Sequence, residues 1–510
     1  MDAAVSQFDL LVIGAGINGA GLARDAAGRG LSVLVVEQDD IAAATSQWST
    51  KLIHGGLRYL EYYEFRLVRE SLSEREVVLK QAPHLVQPLQ FVLPHEPHLR
   101  PAWMIRAGLL MYDHLSQRVT LPASFGVDLS TSKWGAGLKP RFHKGFVYAD
   151  ARVDDARLVL ANEMAARALG ADIRVRTKLV TAQRQNGFWR ATLEGPDGER
   201  REVTARAIAN VAGPWVKVVR DTLSAAPSKE NVRHVKGSHI VVPRVHPEDH
   251  AYLLQNADKR IVFVIPFEGK YSLIGTTDVP VSEFEHPEIS EREVDYLLEL
   301  ANAYLEKPLS RADIVWTFSG IRPLYDDGQS DPSAITRDYV LKLDAGGASG
   351  APLLSVYGGK ITTYRRLAEH VLDELAPFFP GMKPAWTLGV PLPGGDLPPG
   401  GLAAWIAEMR RRYPRLPEAI VEGVARRHGA LAPDVLGKAS KPEDLGEDFG
   451  AGLTAAEVDY CIRHEWARTA DDVLWRRTKC GLGMTAAQRE RVAAYVAGAA
   501  VAATAAVMVA

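Results

Sequence analysis

Three glycines at fixed spacing carry the first chemistry legible in the chain. Gly14-Ala-Gly16-Ile-Asn-Gly19 is a Gly-x-Gly-x-x-Gly pattern. Gly14 permits a tight turn, Gly16 lets backbone approach a pyrophosphate, and Gly19 allows a helix to pack closely on a strand. Glu37 follows at about the distance from which a carboxylate reaches ribose hydroxyls, and it would repel a 2′-phosphate, so NADP is disfavoured. The pattern predicts dinucleotide binding and leaves FAD and NAD undistinguished. His95-Glu-Pro-His98 hints at metal spacing, but Pro97 breaks the one-face helix a zinc motif needs, so no metal is expected there. Cys461 and Cys480 are the two cysteines, too few for a disulfide framework or a four-thiolate cluster, and they fit a reducing, cytoplasmic setting.

The elements that must position these groups follow from hydrophobic periodicity. Phe8-Asp-Leu-Leu-Val-Ile13 is the unbroken apolar run of a strand covered on both faces; residues 20–29 read as a helix and 31–36 as a second strand ending at Glu37. This βαβ unit turns the free N–H groups and positive dipole end of its helix toward the phosphates. Residues 152–169 read as a helix. Segments 173–175, 178–184, 189–194 and 202–205, punctuated by Asn186-Gly187 and Pro196-Asp-Gly198, predict a small meander. The run 207–211 ends in Ala212-Gly213-Pro214-Trp215, where a strand stops and backbone can meet a ligand. Between 232 and 354 strands are expected at 240–243, 261–266 and 271–275, and a helix at 290–305 opened by a Ser290/Glu293 capping box. A second strand–glycine–helix unit comprises 353–357, Gly358-Gly359 and 362–375. The Pro- and Gly-rich stretch from Pro391 to Gly400 marks a boundary, and 402–510 is mainly helical in its periodicity.

The charge balance, 60 Lys+Arg against 62 Asp+Glu, gives no global reason to bind nucleic acid. The polar start, Met1–Gln7, predicts no secretory signal. Residues 492–510 carry no charge and could match a bilayer in length, but they are mostly alanine; a packed or frayed C-terminal helix is favoured over a membrane-touching tail. Residues 100–112 mix apolar side chains with Arg100 and Arg106, and suit either a core helix or one lying in a membrane interface.

Eight further motifs stand in a fixed order: Thr50-Lys-Leu-Ile-His-Gly-Gly-Leu-Arg-Tyr-Leu-Glu61, Lys236-Gly-Ser-His239, Ile274-Gly-Thr-Thr-Asp278, Ser319-Gly-Ile-Arg-Pro-Leu324, Ile335-Thr-Arg-Asp-Tyr339, Gly358-Gly-Lys-Ile-Thr-Thr-Tyr-Arg365, and the C-terminal pair Asp444-Leu-Gly-Glu-Asp-Phe-Gly450 with Leu474-Trp-Arg-Arg-Thr-Lys479. Together they resemble the aerobic, FAD-dependent glycerol-3-phosphate dehydrogenases, from the first strand to about Lys479. The resemblance implies an α/β fold: a glycine-oxidase-like, Rossmann-type FAD-binding domain (about 1–60, 150–215 and 353–385) interleaved with an α+β substrate domain (about 61–149 and 216–352). A linker at 391–400 and a helical C-terminal domain at 401–510 would follow. It also implies non-covalent FAD, oxidation of sn-glycerol 3-phosphate to dihydroxyacetone phosphate by hydride transfer to flavin N5, and electrons passed to ubiquinone or menaquinone. The protein would lie on the inner face of the cytoplasmic membrane; whether it forms a homodimer is left open.

The same resemblance places four cations at the site, Arg58, Arg322, Arg337 and Lys360. Arginine suits a phosphate dianion because its planar fork binds two oxygens at once. Arg322 and Lys360 are assigned to the reacting end, where fixed positive charge favours a developing alkoxide; Arg58 and Arg337 are assigned to the phosphate, an exchange of Arg322 with Arg337 being the alternative. His239 is the expected general base, with His54 competing and Tyr59 closing the pocket. The cofactor is expected to meet Gly14, Gly16, Asn18, Gly19, Glu37, Thr45, Ser46, Lys51, His54, Gly55, Val180, Ala212, Gly213, Gly359, Lys360 and Thr362. Gln47-Trp48 departs from the family pattern, which has small residues there.

A glycerol-3-phosphate oxidase of the same fold is the nearest alternative, and peroxide yield without quinone tells the two apart. The anaerobic enzyme, with its cysteine-rich relays, is disfavoured by the two cysteines. A non-catalytic sensor would bind substrate without bleaching the flavin. A tRNA-modifying flavoprotein has no support from the charge balance.

Overall fold

Two sheets organise the chain. The computed structural model describes residues 6–96, 99–223, 229–255, 260–326, 338–347 and 350–509, with side chains to residue 499. Arg337 lies outside the described residues, as do Pro97 and His98.

The first sheet runs in the order Val340–Asp344, Leu353–Tyr357, Arg200–Asn210, β1 (Ser6–Ile13), β2 (Val33–Val36), Asp172–Arg174. From Leu353–Tyr357 to Asp172–Arg174 its strands are parallel. The apolar run of β1 is continuous because its side chains serve two cores. Leu10 and Val12 pack with the helix layer, while Leu11 and Ile13 pack with Trp189, Ala191 and Leu193 of an antiparallel hairpin. Helix α1 (Ile17–Gly28) lies in the helix layer and begins at Ile17, immediately after the glycine turn. The expected strands 202–205 and 207–211 form one strand, since no turn former interrupts them. Segment 173–175 does not join the meander; Asp172–Arg174 pairs in parallel with β2.

The second sheet has ten strands. Toward one edge Val232–Pro243 pairs with Trp316–Tyr325 through ten residues, from Val232↔Tyr325 to Val241↔Trp316, and with Tyr271–Gly275 on the other side. Val86–Pro94 and Lys144–Val153 extend it, and Leu52–Ile53 closes that edge. Helix Glu291–Tyr304 covers one face and carries the expected capping box. Helices α2 (Phe65–Gln81) and α3 (Ala102–His114) cover the other. In α3, Leu109 and Tyr112 are buried against the sheet, while Trp103 is 70% exposed and Leu110 51%. The helix has the packed inner face of a core helix and an exposed apolar outer face. It is followed in chain order by α4 (Asp155–Ala168), which packs on α1.

The Pro- and Gly-rich stretch 391–400 is no loose tether. Leu392 is buried and its N–H donates to the Gln81 carbonyl. The C-terminal helices, with a two-stranded sheet Asp448–Gly450/Leu453–Thr454, are clamped to the nucleotide unit by buried ion pairs. Arg157 pairs with Glu465 at 2.8 Å, Lys479 with Asp154 at 2.5 Å, and Arg477 with Asp40. The last helix is Ala486–Val509, packed through Val492 and Val496. Among the described residues no helix is long and apolar enough to cross a membrane.

Candidate active site

The glycine turn is built to admit backbone and little else. Gly14 has φ +104°, and a Cβ there would stand 2.8 Å from the Val211 carbonyl oxygen and 3.1 Å from Ala212 Cα. A Cβ on Gly19 would fall 1.9 Å from the Gly14 oxygen. Strand β1 thus delivers the turn directly against Ala212-Gly213, bringing together two segments read separately from the sequence. The first N–H of α1, at Ile17, donates to Ser46 Oγ at 2.9 Å. Glu37 accepts the Ala15 and Asp39 N–H groups, each at 2.9 Å, and burial pushes its carboxyl up to about 7. A bare turn at a helix N-terminus with an acid beyond the second strand fits the pyrophosphate and ribose of a dinucleotide. Val180 sits where the hairpin register shifts between Leu179 and Thr181.

The second strand–glycine–helix unit meets the first. Asn18 Nδ2 donates to the Gly358 carbonyl at 3.2 Å, and a Cβ on Gly359 would lie 2.5 Å from that nitrogen. Thr362 Oγ1 stands 3.3 Å from His54 N and 3.4 Å from His54 O, tying the segment 50–61 to the same end. Burial holds the His54 imidazole below its ordinary range; Asp150 opposes this and Lys360 adds to it. Lys360 Nζ lies 3.9 Å from the centre of the Tyr59 ring. Arg58 and Tyr59 share the turn Leu57–Tyr62.

On the second sheet three motifs converge on Arg322. Its guanidinium ion-pairs with Asp278, Nη2 donates to Thr276 Oγ1 at 3.1 Å, and a Cβ on Gly237 would lie 2.5 Å from Nη2. Gly237 is bare because Arg322 lies over it. His239, one turn of the pleat away, is 1% exposed, stacks on Phe318 at 4.7 Å, and has Nε2 3.1 Å from Thr50 Oγ1. Burial, with the charges of Arg322 and Lys51, holds its imidazole well below the ordinary range, so it is neutral at neutral pH.

Several expected site residues are placed by structural contacts. Thr45 Oγ1 donates to the Ile321 carbonyl at 2.7 Å. Lys51 Nζ is buried on both Asp155 oxygens at 2.9 Å and on the Gln47 carbonyl at 2.8 Å. Gly55 gives its N–H to Tyr112. Trp48, unexpected in its position, stacks on Phe318 at 5.4 Å, and Gly320 leaves the room for it: a Cβ there would stand 2.7 Å from Trp48 Cβ. Thr276 and Asp278 were visible inside a motif but carried no sign that they would hold Arg322; only strand pairing reveals it.

The FAD dependent oxidoreductase family matches residues 9–365, and the C-terminal domain of alpha-glycerophosphate oxidase matches 385–504. The aerobic glycerol-3-phosphate dehydrogenase of Escherichia coli (strain K12) is 53% identical, covering 96% of this chain and 97% of its own. The chain belongs to the aerobic, FAD-dependent glycerol-3-phosphate dehydrogenase family. The D-erythritol 1-phosphate dehydrogenase of Brucella abortus is 50% identical, covering 94% of this chain and 96% of its own. A glycerol-3-phosphate dehydrogenase from Bacillus halodurans complexed with FAD superposes with TM-score 0.72 at 26% identity, over 95% of this chain and 93% of that one. A glycine oxidase from Geobacillus kaustophilus, at 19% identity and TM-score 0.55, shares the fold over 73% of this chain and 98% of its own. This family member is an FAD-dependent oxidoreductase, and the bare Gly14–Gly19 turn with Glu37 fits that cofactor.

Proposed function

We propose that the protein oxidises sn-glycerol 3-phosphate to dihydroxyacetone phosphate and delivers the electrons to ubiquinone or menaquinone. The observation that carries this reading is the placement of Arg322 over Gly237, beside a neutral, buried His239 and on the same sheet as the Thr276–Asp278 motif. Bound FAD supplies the two-electron acceptor, taking hydride from the substrate carbon at N5. We assign the His239 proton to Nε2, facing Thr50 Oγ1; the lone pair is then at Nδ1, which has no hydrogen-bond partner among the described residues and accepts the hydroxyl proton. Arg322 supplies fixed positive charge to the forming alkoxide. Lys360, seated on Tyr59, adds to that charge at the other wall, while Arg58 and Arg337 bind the phosphate. The nucleotide unit rests on the first sheet, the substrate unit on the second, and the helices after 401 cap both.

The apolar outer face of α3, with Trp103, Met104, Leu110 and Met111 and with Arg100 at its start, is the surface by which the protein meets the inner face of the cytoplasmic membrane. The erythritol relative supports a second reading, a longer polyol phosphate as substrate. Steady-state assays with glycerol 3-phosphate and a short-chain quinone test the acceptor. Quinone reduction without peroxide is expected; stoichiometric peroxide would make the protein an oxidase.

A further inference from the structure

We propose that Tyr112, held by Asp150 and Arg75, is a positioning residue for the substrate-binding segment that carries Arg58 and Tyr59. This rests on the reading of that segment given above. The Tyr112 hydroxyl accepts the Gly55 N–H at 2.9 Å and lies 2.9 Å from both Asp150 oxygens, to which it donates. Asp150 is held in turn by Arg75 Nη1 at 2.5 Å, which also donates to the Ala149 carbonyl at 3.2 Å. The three side chains come from three elements, α3, the strand Lys144–Val153 and α2, and all are buried.

A buried tyrosine, carboxylate and guanidinium under an apolar sheet face are costly to desolvate, and a phenylalanine at 112 would fill nearly the same space. What the hydroxyl adds is one bond to the backbone of the segment. That bond sits where displacement would matter most. A Cβ on Gly55 would stand 2.4 Å from Leu72 Cδ2 and 2.6 Å from the Tyr112 oxygen, so the backbone is seated directly on the polar chain. Gly56, at φ +78°, then turns into Leu57–Tyr62, whose Tyr59 ring receives Lys360. The other ties on this stretch are longer: the same Gly55 N–H reaches Asp150 Oδ1 at 3.4 Å, and Thr362 meets His54 at 3.3 and 3.4 Å. Tyr112 thus sets the height at which Arg58 and Tyr59 face the substrate, without touching it.

The test uses the full-length, FAD-loaded protein and Tyr112→Phe, which keeps the ring and removes the bond. KM for glycerol 3-phosphate should rise about tenfold or more, with kcat lowered less and FAD content unchanged. Leu109→Ala, on the same buried face of α3, serves as a control for lost stability; it should lower Tm while leaving KM within about twofold. Asp150→Asn should shift KM in the same direction as Tyr112→Phe. An unchanged KM in Tyr112→Phe, or an equal rise in Leu109→Ala, overturns the proposal. If wild-type flavin is bleached by D-erythritol 1-phosphate and not by glycerol 3-phosphate, the substrate reading fails, and the same KM comparison with erythritol phosphate still decides the role of Tyr112.

Discussion

Thr50 Oγ1 stands 3.1 Å from His239 Nε2, joining the segment that follows the nucleotide unit to the strand Val232–Pro243 of the second sheet. The contact orients the His239 ring, and with the proton assigned to Nε2 it leaves Nδ1 to accept one.

His239→Asn should therefore slow flavin reduction by about 10²–10⁴-fold, the usual range for losing a general base, while FAD remains bound. Thr50→Val should cost less, about tenfold, because it loosens the orientation of the imidazole and leaves the base in place. Anaerobic stopped-flow reduction measures both. Equal rates in wild type and His239→Asn would move the role to His54.

Gly237→Ala should lower kcat/KM about 10- to 100-fold. The new methyl would occupy space within 2.5 Å of Arg322 Nη2, so the guanidinium must leave its place between Thr276 and Asp278. Kinetics with intact FAD content check this, and an unaffected variant would show that Arg322 does not act from that position.

Glu163 provides a pH test. It is fully buried, neither carboxyl oxygen has a partner among the described residues, and burial with the nearby Glu37 charge pushes its carboxyl up to about 8. The folded protein keeps this proton to about pH 8, whereas the unfolded chain releases it near 4.5. The contribution to stability is thus complete below about 4.5 and is lost as pH rises through about 8. Glu163→Gln removes that loss. The stability of the variant relative to wild type should climb by about 1 kcal/mol per pH unit across this window and then level off, as read by denaturant unfolding. A difference independent of pH would contradict it.

The C-terminal unit should be inseparable from the nucleotide unit. Arg477→Met leaves the fully buried Asp40 with Arg476 as its remaining cation, and should cost about 1.5–3 kcal/mol in unfolding free energy. Thermal unfolding should remain one transition in wild type; two independent transitions would show that the clamp is not structural.

The sequence carried the local features well and the long-range ones poorly. The Gly14–Gly19 turn, the β1 run and the Ser290/Glu293 capping box are set by neighbours in the chain, and each stands where its residues predicted. Strand 173–175 was assigned to the meander because nothing local records that it pairs in parallel with β2. Trp48 looked out of place until Gly320 supplied its space from another strand. Lys51 was expected along the cofactor path, and the sequence does not record that its charge pairs with Asp155, far away in the chain. Tyr112 gave no signal at all: its hydroxyl matters only because Gly55 folds onto it.

The most direct test is anaerobic mixing of the FAD-loaded protein with sn-glycerol 3-phosphate while following the oxidised-flavin absorbance. Prompt bleaching, reversed on adding a soluble quinone, is the predicted result. An unbleached flavin with glycerol 3-phosphate, alongside bleaching by D-erythritol 1-phosphate or another hydroxy compound, would contradict the substrate assignment while leaving the fold and cofactor in place.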